Sequence, residues 1–156
     1  MCAAYRPHRP PHFADYGGLR VACLSPRLTP GDVPGNLTAI IEGLDLAAGH
    51  DASLALFPEL CLTGYTCADL FTHKSLLDAA GRALDEIAAA VAVRDLVAVV
   101  GLPLAVSGRL YNCAAFLAGS NVLGLVPKRF LPTTCEYYEE RWFTSGSKAR
   151  EHEVIL

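Results

Sequence analysis

Twice in this chain a short apolar run stops at a proline and passes at once into an ionisable residue. Ser53-Leu54-Ala55-Leu56-Phe57 precedes Pro58-Glu59, and Val122-Leu123-Gly124-Leu125-Val126 precedes Pro127-Lys128. Runs this short and this apolar have the length of buried strands. Proline stops them because it has no N–H to give a sheet ladder. Stretches with helical spacing accompany them. Val33, Leu37, Ile40, Ile41, Leu44 and Ala48 share one face of a first helix, and Leu76, Leu77, Ala80, Leu84, Ile87 and Val91 share one face of a second over residues 75–93. Apolar strands alternating with amphipathic helices specify an α/β fold. Ligands in such sheets meet the carboxyl ends of the strands, which is where Glu59 falls.

The other elements follow from the same signals. A first strand covers 19–24, Pro30-Gly31-Asp32 makes a turn, and Asp32 is placed to cap the first helix. A buried strand covers 96–102, Val106-Ser107-Gly108-Arg109 turns the chain, and a strand over 110–118 closes a hairpin through Gly119-Ser120-Asn121. Residues 1–18 are rich in proline and read as a flexible N-terminal arm, with His8 and His12 solvated rather than metal-bound.

Composition narrows the class. The chain is 52% hydrophobic and 19% charged, outside the disordered range. A net charge of -3 gives no reason to expect nucleic acid or a membrane surface as partner. No apolar run reaches the length of a membrane span, and the first residues lack a signal-peptide core. Six cysteines occur without Cys-x-x-Cys or zinc-ligand spacing, which suggests free thiols in a reducing, cytoplasmic setting. Cys23 and Cys113 lie inside strands and read as buried small hydrophobes.

A glutamate and a lysine meeting at one sheet edge have a definite chemistry. Burial would lower the lysine pKa, and pairing would raise it. The pair can accept a proton and stabilise an oxyanion, but a nucleophile or a metal must complete the reaction.

Pro58-Glu59-Leu60 with Gly64-Tyr65, Pro127-Lys128 with Leu131-Pro132, and Tyr138-Glu139-Glu140-Arg141-Trp142-Phe143 together resemble the nitrilase (carbon–nitrogen hydrolase) superfamily. Tyr65-Thr66-Cys67-Ala68-Asp69-Leu70-Phe71, Val99-Val100-Gly101-Leu102-Pro103 and Leu110-Tyr111-Asn112-Cys113-Ala114 resemble one branch of it, the glutaminase domain of glutamine-dependent NAD synthetases. The similarity runs from about Leu19 to Phe143. It implies a four-layer α-β-β-α sandwich, of which residues 19–156 would be the N-terminal part, incomplete at its C-terminus. It implies a Glu-Lys-Cys triad, with Glu59 as the base and Lys128 as the oxyanion donor. Glu139 matches a second glutamate that orients the site and holds the lysine, and Tyr65 a tyrosine lining the glutamine pocket. L-glutamine is the implied substrate. No cofactor is implied in this segment. ATP and Mg belong to a synthetase domain beyond it, which amidates deamido-NAD, and the implied assembly is a large homo-oligomer. Another nitrilase-branch amidase, of ω-amidase or carbamoylase type, and a non-catalytic remnant are the alternatives.

Two departures stand out. The family's nucleophilic cysteine follows a strand reading roughly Ile-Cys-Glu-Asp beyond the segment of Glu139, and no such motif occurs before Leu156, so this chain is expected to be inactive alone. Cys135, seven residues after Lys128, lies in a loop near the expected site but without the fixed elbow that catalysis needs. The related glutaminase domains often have Pro-Thr-Tyr, with a tyrosine that helps hold glutamine, where this chain has Pro132-Thr133-Thr134. The sheet is also too apolar to leave its second face in water, so that face is expected to be sticky.

Overall fold

Order in the sheet equals order in the chain. The computed structural model describes residues 16–150. Most of the expected arm, with His8 and His12, and residues 151–156 lie outside the described residues. Strand β1 (Val21–Cys23) leads through α1 (Val33–Gly49) to β2 (Leu54–Leu56), and α2 (Lys74–Ala92) leads on to β3 (Val97–Val106), β4 (Arg109–Ala118) and β5 (Asn121–Pro127). The sheet runs β1-β2-β3-β4-β5, with β1, β2 and β3 parallel and β3, β4 and β5 antiparallel. Two successive crossovers between parallel strands progress in one direction along the sheet, and crossovers of one hand lay both helices on the same face.

The helices form where the sequence caps them. Asp32 Oδ1 accepts the Gly35 N–H at 3.1 Å, and Pro34 sits in the first turn, where its missing N–H costs nothing. Val33, Ile40, Leu44 and Ala47 of α1 are buried, and so is Asn36, whose side chain bonds Thr29 N, Thr29 O and Leu62 O. Leu76, Ala80, Ala83, Leu84, Ile87, Ala88 and Val91 make the buried face of α2. Opposite them the sheet presents Ala55, Ala98, Val100, Leu102, Ala115 and Leu117, all buried.

The second face of the sheet differs. Cys23, Leu56, Val99 and Phe116 stand in one row across four strands. Leu56 is 40% exposed, Phe116 39% and Val126 55%. One helical layer on one sheet is two of the four layers of a nitrilase-type sandwich, and the second sheet face is open. This corrects the expectation for Cys23, which is exposed rather than buried. Its side chain points away from the helices on an edge strand.

Strand β3 also runs past its expected end at Leu102 and takes in Pro103, paired with Asn112. Strand β2 pairs only with Val97, Ala98 and Val99, so beyond them β3 is an edge, where a proline without an N–H is tolerated.

Candidate active site

Glu59 leaves the sheet at the carboxyl end of β2. Phe57 N still bonds Val99 O at 2.9 Å, and then Pro58 ends the pairing. The chain turns sharply at Leu60, which is fully buried at φ 52, a left-handed conformation that non-glycine residues rarely adopt. Leu60 O accepts Thr63 N at 3.1 Å and Gly64 N at 2.8 Å, and Leu62 N returns to Gly101 O at 3.1 Å. This tight loop presents Glu59 beside the sheet edge and carries Tyr65 on its far side.

Lys128 follows β5 directly. Its N–H bonds Asn112 O at 2.7 Å, and its own carbonyl accepts Gly146 N at 2.8 Å. Glu139 lies in a short 3-10 turn, Glu139–Arg141, and is 3% exposed. Its N–H bonds Pro132 O at 3.2 Å, and its carbonyl accepts Phe143 N at 2.8 Å.

These segments bring all four sequence-predicted site residues into one hydrogen-bonded chain. Lys128 Nζ donates to Glu59 Oε1 and to Glu139 Oε1, each at 2.7 Å. The Tyr65 hydroxyl donates to Glu139 Oε1 at 2.5 Å. Asn112 Nδ2 donates to Glu59 Oε1 at 2.5 Å. Asn112 lies in the motif Leu110-Tyr111-Asn112-Cys113-Ala114, which by itself assigns the residue no role. Its signal was a polar side chain inside an otherwise apolar strand.

The charges follow from this geometry. Burial pulls the Lys128 pKa down, but the bonds and charges of Glu139 and Glu59 outweigh it, and the pKa is raised overall. Of the two directions open to such a lysine, pairing prevails. Two of its three N–H donors go to carboxylates, leaving one for a substrate oxygen. The Tyr65 phenol is pushed up first by burial and then by its bond to Glu139, so it stays a donor.

A second set of contacts braces the Glu139 turn. Asp69 accepts Arg141 Nε at 3.1 Å and Trp142 Nε1 at 3.0 Å on Oδ1, and a second Arg141 nitrogen at 3.3 Å on Oδ2. These exposed bonds hold the Asp69 carboxyl below its ordinary range. Phe71 packs against Phe143, with centroids 4.9 Å apart, and against Trp142 at 6.0 Å. The Tyr65 loop and the Glu139 turn are therefore tied to each other twice.

A groove of about 370 Å³ runs over the open sheet face, with Glu59, Asn112 and Lys128 at its edge and Gly101 and Val126 in its wall. The cysteines near it are unsuited to attack. Burial pushes the Cys61 and Cys113 thiols up to about 12 and also raises Cys67. Cys135 is exposed at φ 59, with no hydrogen bond to Glu59 or Lys128. Among the described residues, no group of three or more His, Cys, Asp or Glu could hold a metal ion, and no helix is long and apolar enough to cross a membrane.

Known proteins share both pattern and fold. Glutamine-dependent NAD(+) synthetase of Mycobacterium tuberculosis is 42% identical over 135 residues, 86% of this chain and 20% of that protein. The Homo sapiens protein of the same name is 30% identical over 122 residues, 78% of this chain and 17% of that protein. The chain thus spans about a fifth of the length of these relatives. A glutamine-dependent NAD(+) synthetase from Cytophaga hutchinsonii superposes with a TM-score of 0.80 at 32% identity, covering 88% of this chain and 23% of that one. An amidase from Nesterenkonia sp. shares the fold, with a TM-score of 0.71 at 22% identity over 81% of this chain and 48% of that one. The carbon–nitrogen hydrolase family model matches residues 20–155. That match, over most of the chain, shows that it belongs to the carbon–nitrogen hydrolase family.

Proposed function

We propose that this chain carries the base, the cation and the orienting glutamate of a site that hydrolyses the side-chain amide of glutamine, as the glutaminase part of a glutamine-dependent NAD synthetase. The observation that carries the proposal is Lys128 Nζ bridging Glu59 and Glu139 at 2.7 Å to each. In the proposed reaction Glu59 takes the proton of a cysteine thiol, and the sulfur attacks the amide carbon. Lys128 gives its remaining N–H to the oxygen as negative charge develops there. Glu59 returns the proton to the departing nitrogen, ammonia leaves, and a thioester remains. Glu59 then activates water, which releases glutamate and restores the thiol. The thiol would come from a part of the domain outside the described residues, since Cys61, Cys67 and Cys113 are buried and the exposed Cys23 and Cys135 make no hydrogen bond to Glu59 or Lys128. The Nesterenkonia amidase has an active site cysteine.

The ammonia would serve an ATP-dependent synthetase domain that amidates deamido-NAD, within a cytoplasmic homo-oligomer. The synthetase relatives favour glutamine over a simple amide: they reach 42% identity, whereas the amidase similarity, at 22%, is one of fold.

The test is a chimera in which residues 20–150 replace the matched segment of the Mycobacterium tuberculosis relative. Ammonia release from glutamine is expected, falling by roughly 10²–10⁴-fold in Glu59→Gln. Hydrolysis that is indifferent to Glu59→Gln, or that accepts ω-amides or carbamoyl groups but not glutamine, would overturn the proposal.

A further inference from the structure

We infer that Asn112 is a positioning residue that gives the two oxygens of Glu59 different tasks, occupying Oε1 so that Oε2 exchanges the proton; this rests on the amide-hydrolase reading above. Asn112 is 3% exposed in an apolar strand, where an unbonded amide would be costly. Its Nδ2 donates to Glu59 Oε1 at 2.5 Å, and Lys128 Nζ donates to the same oxygen at 2.7 Å. An oxygen already accepting two donors, one of them charged, is the weaker base of the pair. Among the described residues Oε2 has no such bond.

The backbone of Asn112 serves the same end. Its carbonyl accepts the Lys128 N–H at 2.7 Å, one residue beyond the Cys113–Pro127 pair of the ladder. One residue of β4 therefore fixes both the start of the lysine side chain and the end of the glutamate side chain. The relation needs an amide. Nδ2 can only donate, whereas an aspartate here would set a second carboxylate against Oε1. The ionisable groups facing Asn112 are Glu59, from the loop after β2, and Lys128, from the end of β5. Glu139 and Tyr65 act one bond further away, and Tyr111 and Cys113 are its neighbours on β4.

In the proton step the S–H bond breaks and an O–H bond forms on Oε2. The sulfur electron pair makes the bond to the amide carbon. The same proton later passes from Oε2 to the departing nitrogen. Rotation of the carboxylate would exchange the two oxygens, and Asn112 together with Lys128 opposes that rotation.

Two measurements test this. In the 156-residue chain, ¹⁵N-edited NMR of the Asn112 side chain, assigned by its loss in Asn112→Leu, should show one amide proton shifted well downfield of the other. The separation should shrink in Glu59→Gln, and a separation unchanged by Glu59→Gln would overturn the inference. In the chimera, Asn112→Leu should lower kcat roughly 10²-fold with KM for glutamine near its starting value, the size expected for a displaced reacting group. Asn112→Asp should be as slow at neutral pH, yet recover relative to the parent as pH falls, because a protonated aspartate again donates. Asn112→Leu should not recover. Parent-like rates in Asn112→Leu, or identical pH profiles for the two variants, would overturn the inference. A parent chimera that releases no ammonia would instead refute the proposed function, and the NMR result would still decide the role of Asn112.

Discussion

Gly101 lies directly beneath the peptide that carries Glu59. A Cβ on Gly101 would come within 2.9 Å of the Glu59 carbonyl carbon and of the Pro58 carbonyl oxygen, closer than real Cβ contacts allow. The closeness of β3 to this loop is therefore conditional on glycine, and the loop position is set from below as well as by its own turn at Leu60.

Gly101→Ala should lift the loop. The expected cost is about 1–3 kcal/mol, the usual penalty for overpacking a tight site. It would be read as a lower urea midpoint. In the chimera, amide hydrolysis should fall further than the loss of folded protein accounts for. An unchanged midpoint would show that the loop has slack.

Lys128→Met leaves the carboxylate of Glu139, 3% exposed, without its cation. The expected destabilisation is about 2–3 kcal/mol, below the figure for a fully buried pair because Lys128 keeps 27% of its side chain in solvent. Glu59→Gln, at a carboxylate that is 41% exposed, should cost much less. Equal midpoints for the two variants would contradict the burial difference.

Alkaline stability should depend on the same cluster. Lys128 and Tyr65 both bind their protons more tightly when folded. Their contribution is whole below the ordinary values of 10.5 and 10.0 and fades as pH rises through the higher folded values. Thermal melts above pH 10 should therefore fall more steeply for the parent than for Lys128→Met. Parallel curves would remove Lys128 from the account.

Asp69→Asn removes an exposed salt bridge, so its effect on the global midpoint should be small. The local effect should be visible in Trp142, the sole tryptophan, whose indole N–H donates to Asp69. Its indole ¹H–¹⁵N resonance should move in Asp69→Asn and, in the parent, as acid protonates Asp69. An indole signal blind to both changes would mean that the clamp does not persist in solution.

The open sheet face should make the isolated chain bind a hydrophobic dye and self-associate. Phe116→Lys with Val126→Glu should reduce both, since each parent side chain is more than a third exposed there. A monodisperse monomer that melts sharply and binds no dye would refute this.

Local signals carried much of the fold. The runs ending at Pro58 and Pro127 placed Glu59 and Lys128 at strand ends, because the absence of a proline N–H is felt within its own strand. Helical spacing placed both helices to within a residue or two. Glu139 had no such signal. A three-residue 3-10 turn has no periodicity, and only the family resemblance pointed to it. Cys23 shows a different limit. Alternation tells which face a side chain occupies, but whether that face is covered depends on a layer the strand does not encode. Asn112 was visible as a misfit in its strand, but its partner is 53 residues away in sequence, and only folding brings the two together.

Lys128 answers two carboxylates with one ammonium, so the trio carries one surplus negative charge. In the proposed reaction a side-chain amide would enter such a place uncharged, and once hydrolysed it would be an anion facing two others. The cluster proposed to arrange the attack would then repel the carboxylate that the attack produces, and release would need no moving part.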